Sequence, residues 1–207
     1  MKKIFITGCD SKTQWQLKWF VENFQKHNSN AELMIWDFGM NGNPYPQITQ
    51  KLKSQDQGWF KKPRAMFEAS KMSDYVCWLD TDCEVRDNIE DIFDYIEPNK
   101  LAMVEDVPWS RRRGEKWHNS GVVGFIDKPV ILHEWCKAVQ IKKEVGDQEV
   151  LHSILNPITK LKYIKDLPNE YNVMRVQVDN DNYSGSKKIM HWTGQKGKVR
   201  IRSMINE

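Results

Sequence analysis

From residue 75 to residue 82 the chain reads Tyr-Val-Cys-Trp-Leu-Asp-Thr-Asp. Five apolar residues in unbroken succession mark a strand covered on both faces; a strand with one wet face alternates. This run therefore places a central strand in a sheet that has helices on either side. It stops at Asp80 and Asp82. In open α/β sheets, ligands bind beyond the carboxyl ends of the strands. Two carboxylates spaced two residues apart at such an end can converge on one hard cation. An Asp-x-Asp by itself is common in solvated turns, but the apolar run ahead of this pair fixes it at a strand terminus.

The flanking sequence supplies the rest of the sheet. Residues 3–7 (Lys-Ile-Phe-Ile-Thr) predict a short buried strand ending in the polar turn Gly8-Cys9-Asp10-Ser11. Residues 13–27 carry Trp15, Leu17, Trp19, Phe20, Val21 and Phe24 at nearly helical spacing, with Ser11 or Thr13 as cap. Residues 31–38 predict a second strand. Strand, helix and strand in so short a span form a right-handed βαβ unit, so the sheet is at least partly parallel. Further helices are expected over 63–72, with Pro63 in the first turn, and over 88–96, 129–143 and 147–155. Further strands are expected over 101–104, 122–126 and 189–190. Residues 40–57 and the charged stretch Arg111–Lys116 read as loops. The expectation is a single α/β domain over residues 1–207, its mixed and mostly parallel sheet flanked by helices, with a basic C-terminal segment over 187–207. A chain of 207 residues buries a sufficient core without disulfides or structural metal.

Composition excludes several function classes. With 40% apolar residues, 11 Gly and 8 Pro, the chain is neither fibrous nor disordered. A net charge of +3 does not by itself mark a nucleic-acid binder. Cys9, Cys77, Cys83 and Cys136 form no Cys-x-x-Cys pair, which argues against zinc-ribbon and thioredoxin-type sites. The first residues lack a signal-peptide apolar region, and no apolar stretch is long enough to span a membrane. These features together predict a cytoplasmic protein. The nine Trp are unusual; core packing accounts for most of them, and sugar or base sites use the same side chain.

Three polar patches complete the picture. His118-Asn119-Ser120-Gly121 opens a strand, Gly146-Asp147-Gln148 begins a helix, and His191-Trp192-Thr193-Gly194-Gln195-Lys196-Gly197-Lys198 follows the last strand. In this order, together with the Asp-x-Asp strand, they resemble the GT-A glycosyltransferases. The nearest likeness is the retaining family 8, which includes glycogenin and the bacterial lipooligosaccharide galactosyltransferases. Residues 4–10 (IFITGCD) resemble its first strand and nucleotide-binding turn, and Trp36-Asp37-Phe38-Gly39 its second strand. NIEDIF over 88–93 is similar to the helix that follows Asp-x-Asp. HNSGVVGF is similar to Phe-Asn-(Ser/Ala)-Gly-Val, GDQEVLHSIL to Asp-Gln-x-x-(Leu/Phe)-Asn, and Leu167-Pro168 with Tyr171-Asn172 to Leu-Pro-x-x-(Tyr/Phe)-Asn. His191-x-x-Gly194 resembles His-x-x-Gly, although the Lys-Pro-Trp that ends the family pattern is replaced by Gln195-Lys196-Gly197-Lys198.

The resemblance implies a single GT-A, Rossmann-like domain and a set of roles. Asp80, Asp82 and His191 would hold a divalent ion, usually Mn²⁺ (or Mg²⁺), on the donor diphosphate; oxygen ligands with one imidazole suit Mn²⁺ better than Ca²⁺. Thr7, Gly8, Cys9 and Asp10 would lie near the nucleotide, UDP by family default. Arg64, Gly194 and Lys196 or Lys198 would complete the donor-binding set. Asn119, Asp147 and Gln148 would contact the donor sugar, with Gln148 beside the anomeric carbon. An acid after the fourth strand would be Glu105 or Asp106. The family course is retention by front-face substitution, the leaving phosphate taking the acceptor proton. The acceptor would be a glycan, a lipid-linked sugar, a protein or a hydroxylated base in DNA. The last alternative rests on Lys61, Lys62 and Arg64, Arg111 to Arg113 and the C-terminal cations, interleaved with Trp109, Trp117 and Trp192.

Two other classes compete. A haloacid-dehalogenase-type phosphatase also uses Asp-x-Asp, but it needs Thr or Val where Glu84 stands and places the motif near the N-terminus. A sugar-nucleotide-binding module would keep the cation ligands without catalysis. A nucleotidyltransferase would need a Gly-rich loop that Thr7-Gly8-Cys9-Asp10 does not provide. His27, His133 and His152 read as structural or solvent-facing; His118 is left open, positioning of Asn119 being one reading.

Overall fold

The computed structural model describes residues 1–141 and 144–206. In chain order the elements are β1 (Lys3–Cys9), α1 (Leu17–His27), β2 (Leu33–Asp37), β3 (Thr49–Lys51), α2 (Lys62–Ala69), β4 (Tyr75–Leu79), β5 (Cys83–Val85), β6 (Leu101–Glu105) and α3 (Val107–Arg113). There follow β7 (His118–Ile126), α4 (Val130–Ile141), α5 (Asp147–Ser153), α6 (Pro157–Tyr163), β8 (Ile164–Asp166), β9 (Val173–Met174), α7 (Arg175–Asp181), β10 (Ile189–His191) and α8 (Gly194–Asn206).

Seven strands form the main sheet in the order β3-β2-β1-β4-β7-β6-β8, and β5, β10 and β9 form a small second sheet. Within the main sheet β7 runs against both of its neighbours, while every other pairing is parallel. Side chains of the central strands alternate between two apolar layers. Ile4, Ile6, Val76 and Trp78 join Met66, Leu132 and Trp135 of α2 and α4. Phe5, Cys77 and Leu79 join Leu17, Phe20 and Phe24 of α1 on the opposite face. Both faces of β4 are thus covered, as its unbroken apolar run requires.

Four expectations change. Residues 40–57 are not loop throughout, because Thr49–Lys51 pair in parallel with Ile35–Asp37 and add β3 at the edge of the sheet. Arg111–Arg113 lie in a helix rather than a loop: the Asp106 carboxylate accepts the Trp109 amide N–H at 3.0 Å and caps α3, and Gly114 closes it at φ +71°. The C-terminal segment is likewise helical. Its Ile201 is fully buried, and Gly197 approaches the Trp192 carbonyl so closely that a β-carbon there would lie 2.0 Å from the oxygen. Residues 90–95 form 3-10 turns instead of an α-helix. The helix expected over 129–143 is seen as Val130–Ile141; residues 142 and 143, like the final residue 207 of the basic segment, lie outside the described residues.

The reversed direction of β7 builds the site. Leu79 at the end of β4 pairs with Val122, so residues 118–121 run on beyond the carboxyl end of β4 beside Asp80. The Asp80 amide donates to the Gly121 carbonyl at 2.8 Å.

Candidate active site

A cavity of about 690 Å³ opens at the carboxyl edge of the sheet, where β1, β4 and the start of β7 meet the first turn of α5. Asp80, Thr81 and Asp82 form the turn that leaves β4, and the Cys83 amide closes it on the Asp80 carbonyl at 3.0 Å. The small sheet then carries β10 back, so that His191 stands directly across from Cys83. The His191 Nε2 lies 3.1 Å from Asp82 Oδ1 and 4.0 Å from Asp80 Oδ2. Its Nδ1 is 2.9 Å from the side-chain oxygen of Asn172, a fully buried residue. An Nδ1–H donated to that oxygen leaves the Nε2 lone pair of the neutral ring facing Asp82. Gly121 makes room for the imidazole, since a β-carbon there would lie 2.2 Å from His191 Cε1.

Electrostatics hold this group together. Burial alone would raise the Asp82 carboxyl; the His191 ring outweighs it and keeps the group below the usual carboxylate range. Burial works against charge on His191, but Asp82 and then Asp80 raise it above the ordinary histidine value. Asp80 is held differently. Lys62, on the first turn of α2, places Nζ 2.9 Å from its Oδ1, and Trp78 donates Nε1–H to the same oxygen at 2.7 Å. Lys62 also lies 3.2 Å from Asp147 Oδ2 and donates to the Ser120 carbonyl at 3.1 Å. Burial lowers its pKa, yet Asp147 and Asp80 outweigh that and hold the ammonium above its usual range. Asp147 is pushed up by burial against the pull of Lys62.

Beside this cluster lies a network of amides. Gln148 accepts from Asn119 Nδ2 at 3.1 Å and from the Ser120 amide at 3.2 Å, and its own Nε2 donates to Asp106 Oδ2 at 3.3 Å. Asn119 Nδ2 also reaches Asp106 Oδ2 at 3.1 Å, while Asn119 Oδ1 accepts from Asn172 at 2.9 Å. Asn172 thus touches both the His191 ring and the amide network. Of the two acids considered after the fourth strand, Asp106 is the one that lines the cavity; Glu105 does not.

No protein-family model and no curated protein matches the sequence. Solved structures do match. The galactosyltransferase LgtC, in complex with donor and acceptor sugar analogues, aligns with a TM-score of 0.65 over 98% of this chain and 95% of its own, at 14% identity. A glycosyltransferase involved in glycosylating the major capsid of PBCV-1 aligns at 0.66 over 100% of both chains, also at 14% identity. The glycosyltransferase GlyE of Streptococcus pneumoniae aligns at 0.67 over 94% of this chain and 55% of its own, at 16% identity. The chain has the GT-A fold.

Within this GT-A fold the residues expected at the donor divide. Gly8, Cys9, Asp10, Asn119, Gln148 and Lys198 line the cavity together with Asp80, Asp82, Asp147 and His191. Gly8 lets the Phe38 ring close over β1, where a β-carbon would meet it at 2.6 Å. Burial pushes the Cys9 thiol up to about 12, so it stays protonated. Thr7, Arg64, Gly194 and Lys196 do not line the cavity. Thr7 is fully buried within β1, and Arg64 turns outward to Glu68 at 3.2 Å. Gly194, at φ +71°, begins α8, and Lys196 is exposed on that helix. Of the two lysines considered for the diphosphate, Lys198 is therefore the one beside the site.

Two lining residues make contacts that the sequence reading did not give them: Lys62 reads only as one of the cations for a polyanionic acceptor, and Gln16 has no expected role. Lys62 stood in a Lys-Lys-Pro-Arg stretch that reads as a surface patch. Gln16, at the start of the first helical region, is buried with Oε1 accepting from Thr81 at 3.0 Å and Nε2 unpartnered. His118, the first residue of β7, and His152 of α5 do not line the cavity. His152 Nε2 is 2.9 Å from the His118 amide nitrogen, and the His118 ring reaches Asp166 at 2.8 Å. Among the described residues no helix is long and apolar enough to cross a membrane.

Proposed function

We propose that this chain transfers a sugar from a nucleotide-sugar donor, with UDP as the nucleotide, to a hydroxyl acceptor, with retention at the anomeric carbon. In this reading Asp80, Asp82 and His191 hold a divalent ion, Mn²⁺ or Mg²⁺. The donor set fits: two carboxylates and an imidazole with a positioned tautomer suit a cation of that class. The observation that carries the reading is that one cavity holds this acidic cluster and the Asp106–Asn119–Gln148 network, joined through Asn172.

The bound ion would neutralise charge on the departing diphosphate oxygen. Lys198 adds a second cation on the same wall. The unpartnered Gln16 Nε2–H is a donor for an oxygen of the nucleoside. As the sugar–phosphate bond breaks, the carbon becomes oxocarbenium-like, and oxygens of Asp147 and Gln148 stabilise that charge. The acceptor hydroxyl forms the new bond at the same carbon, and its proton leaves with the phosphate.

A neutral glycan, whether free, lipid-linked or protein-borne, is the acceptor the surroundings favour. Trp59, 57% exposed, and Trp109 stand at the cavity as aromatic platforms. Three of the cations named for a DNA acceptor are engaged elsewhere: Lys62 is buried, Arg64 pairs with Glu68, and Arg111 pairs with Asp181 at 2.9 Å. All four cysteines are free and buried, in keeping with a reducing, cytoplasmic setting.

The test is a screen of nucleotide-sugar hydrolysis with Mn²⁺ and with EDTA, followed by acceptor trials and NMR of the product anomer. Ion-dependent release of UDP and an α-product from an α-donor support the proposal. Donor binding without any turnover would leave a binding module in its place.

A further inference from the structure

The Asp82, Cys83 and His191 side chains place a carboxylate oxygen, the thiol sulfur and a ring nitrogen within 4.8 Å of one another. This set differs from the Asp80–Asp82–His191 set of the proposed function by exchanging a carboxylate for sulfur. The placement follows from the strand register. Cys83 and His191 are directly opposed in the antiparallel β5–β10 pair, so both side chains stand on the same face. Asp80, in contrast, is drawn toward Lys62 and Trp78. Cys83 is fully buried behind Asp82 and His191, and those two line the cavity through which an ion would enter.

We propose that Asp82, Cys83 and His191 form a binding site for a thiophilic divalent cation of the Zn²⁺ class, overlapping the site of the hard ion and competing with it. The ligand chemistry is the reason. Imidazole and thiolate select zinc over manganese or magnesium, which favour carboxylate and water. Binding forms one metal–sulfur bond and breaks the thiol S–H bond, its proton passing to solvent; nothing is oxidised or reduced. A fourth ligand, water, would reach the ion from the cavity that Asp82 and His191 line. The consequence for the proposed transferase is inhibition by zinc at the donor's own cation site, and this consequence rests on that reading.

The site is tested without donor. Metal-free protein is titrated with Cd²⁺, and the ultraviolet sulfur-to-cadmium charge-transfer absorption is followed. The band is expected to saturate at one equivalent, to vanish in Cys83→Ala, and to persist in Cys9→Ala, Cys77→Ala and Asp80→Asn. No band in the wild-type protein, or a band that survives in folded Cys83→Ala, overturns the proposal. If Cys83→Ala does not fold, thermal shifts of the wild type decide. Zn²⁺ should raise the melting temperature at concentrations where Mn²⁺ does not, and equal shifts from the two ions overturn the proposal. A cadmium band without any nucleotide-sugar turnover sinks the transferase reading and leaves the site standing. Mn²⁺-supported turnover without a band does the reverse.

Discussion

The Lys62 ammonium lies 2.9 Å from a carboxylate oxygen of Asp80, with only 4% of the lysine side chain exposed. Asp147 stands on its other side at 3.2 Å. Removing one partner of a buried charge cluster leaves the others uncompensated. Lys62→Met is expected to cost about 3 kcal/mol of stability by urea denaturation. A loss under about 1 kcal/mol, the scale of an exposed pair, would show that the acids do not depend on this lysine.

Asp82→Asn is expected to lower transfer by roughly 10²–10³-fold, the scale of losing one positioned charge partner. Its amide N–H can donate to the bare Nε2 of the neutral His191 ring, so the stability cost is about 1 kcal/mol. Full activity of this variant at saturating Mn²⁺ removes Asp82 from the cation ligands.

Gln148→Ala is expected to lower turnover by about 10²-fold while the donor Michaelis constant changes little. Its carbonyl, shared between Asn119 and the Ser120 amide, matters most when charge develops beside it. A raised Michaelis constant at unchanged turnover assigns it to ground-state binding alone.

His152 supplies a pH prediction. Burial first, then the nearby Lys160, depress its pKa from 6.5 to about 3. Above pH 6.5 folded and unfolded chains both hold the ring neutral, so nothing is lost. As pH falls below 6.5 the unfolded chain takes up a proton that the folded one refuses. Stability then declines by about 1.4 kcal/mol per pH unit until about pH 3. Burial also depresses His118, which adds to the slope. His152→Gln should flatten the decline between pH 6 and pH 4 in denaturation midpoints; an unchanged slope assigns the acid sensitivity to other groups.

Local pattern carried some of this and not the rest. The unbroken run at 75–79 announced a doubly covered strand, and a carboxylate pair at its end had to sit at the sheet edge. Asp147 and Gln148 were likewise placed by the helix they begin. Lys62 was not legible. Its partners Asp80 and Asp147 lie 18 and 85 positions away in the chain, and nothing in Lys-Lys-Pro-Arg distinguishes a buried lysine from a solvated one. The C-terminal helix was missed because Gly194 and Gly197 argue against a helix locally. Only the close approach to the Trp192 carbonyl explains why glycine stands at position 197. Arg111–Lys116 read as a loop although α3 runs through Arg113, because the cap at Asp106 and the stacking of Arg112 and Arg113 on Trp109 are tertiary facts.

Asn172 gives one amide to two tasks, its nitrogen to Asn119 and its oxygen to His191. An engineer who resculpts the proposed sugar pocket at Asn119 therefore also disturbs the imidazole proposed to meet the cation. Substitutions on the two sides will show epistasis, and altered donor choice will be selected together with altered metal preference.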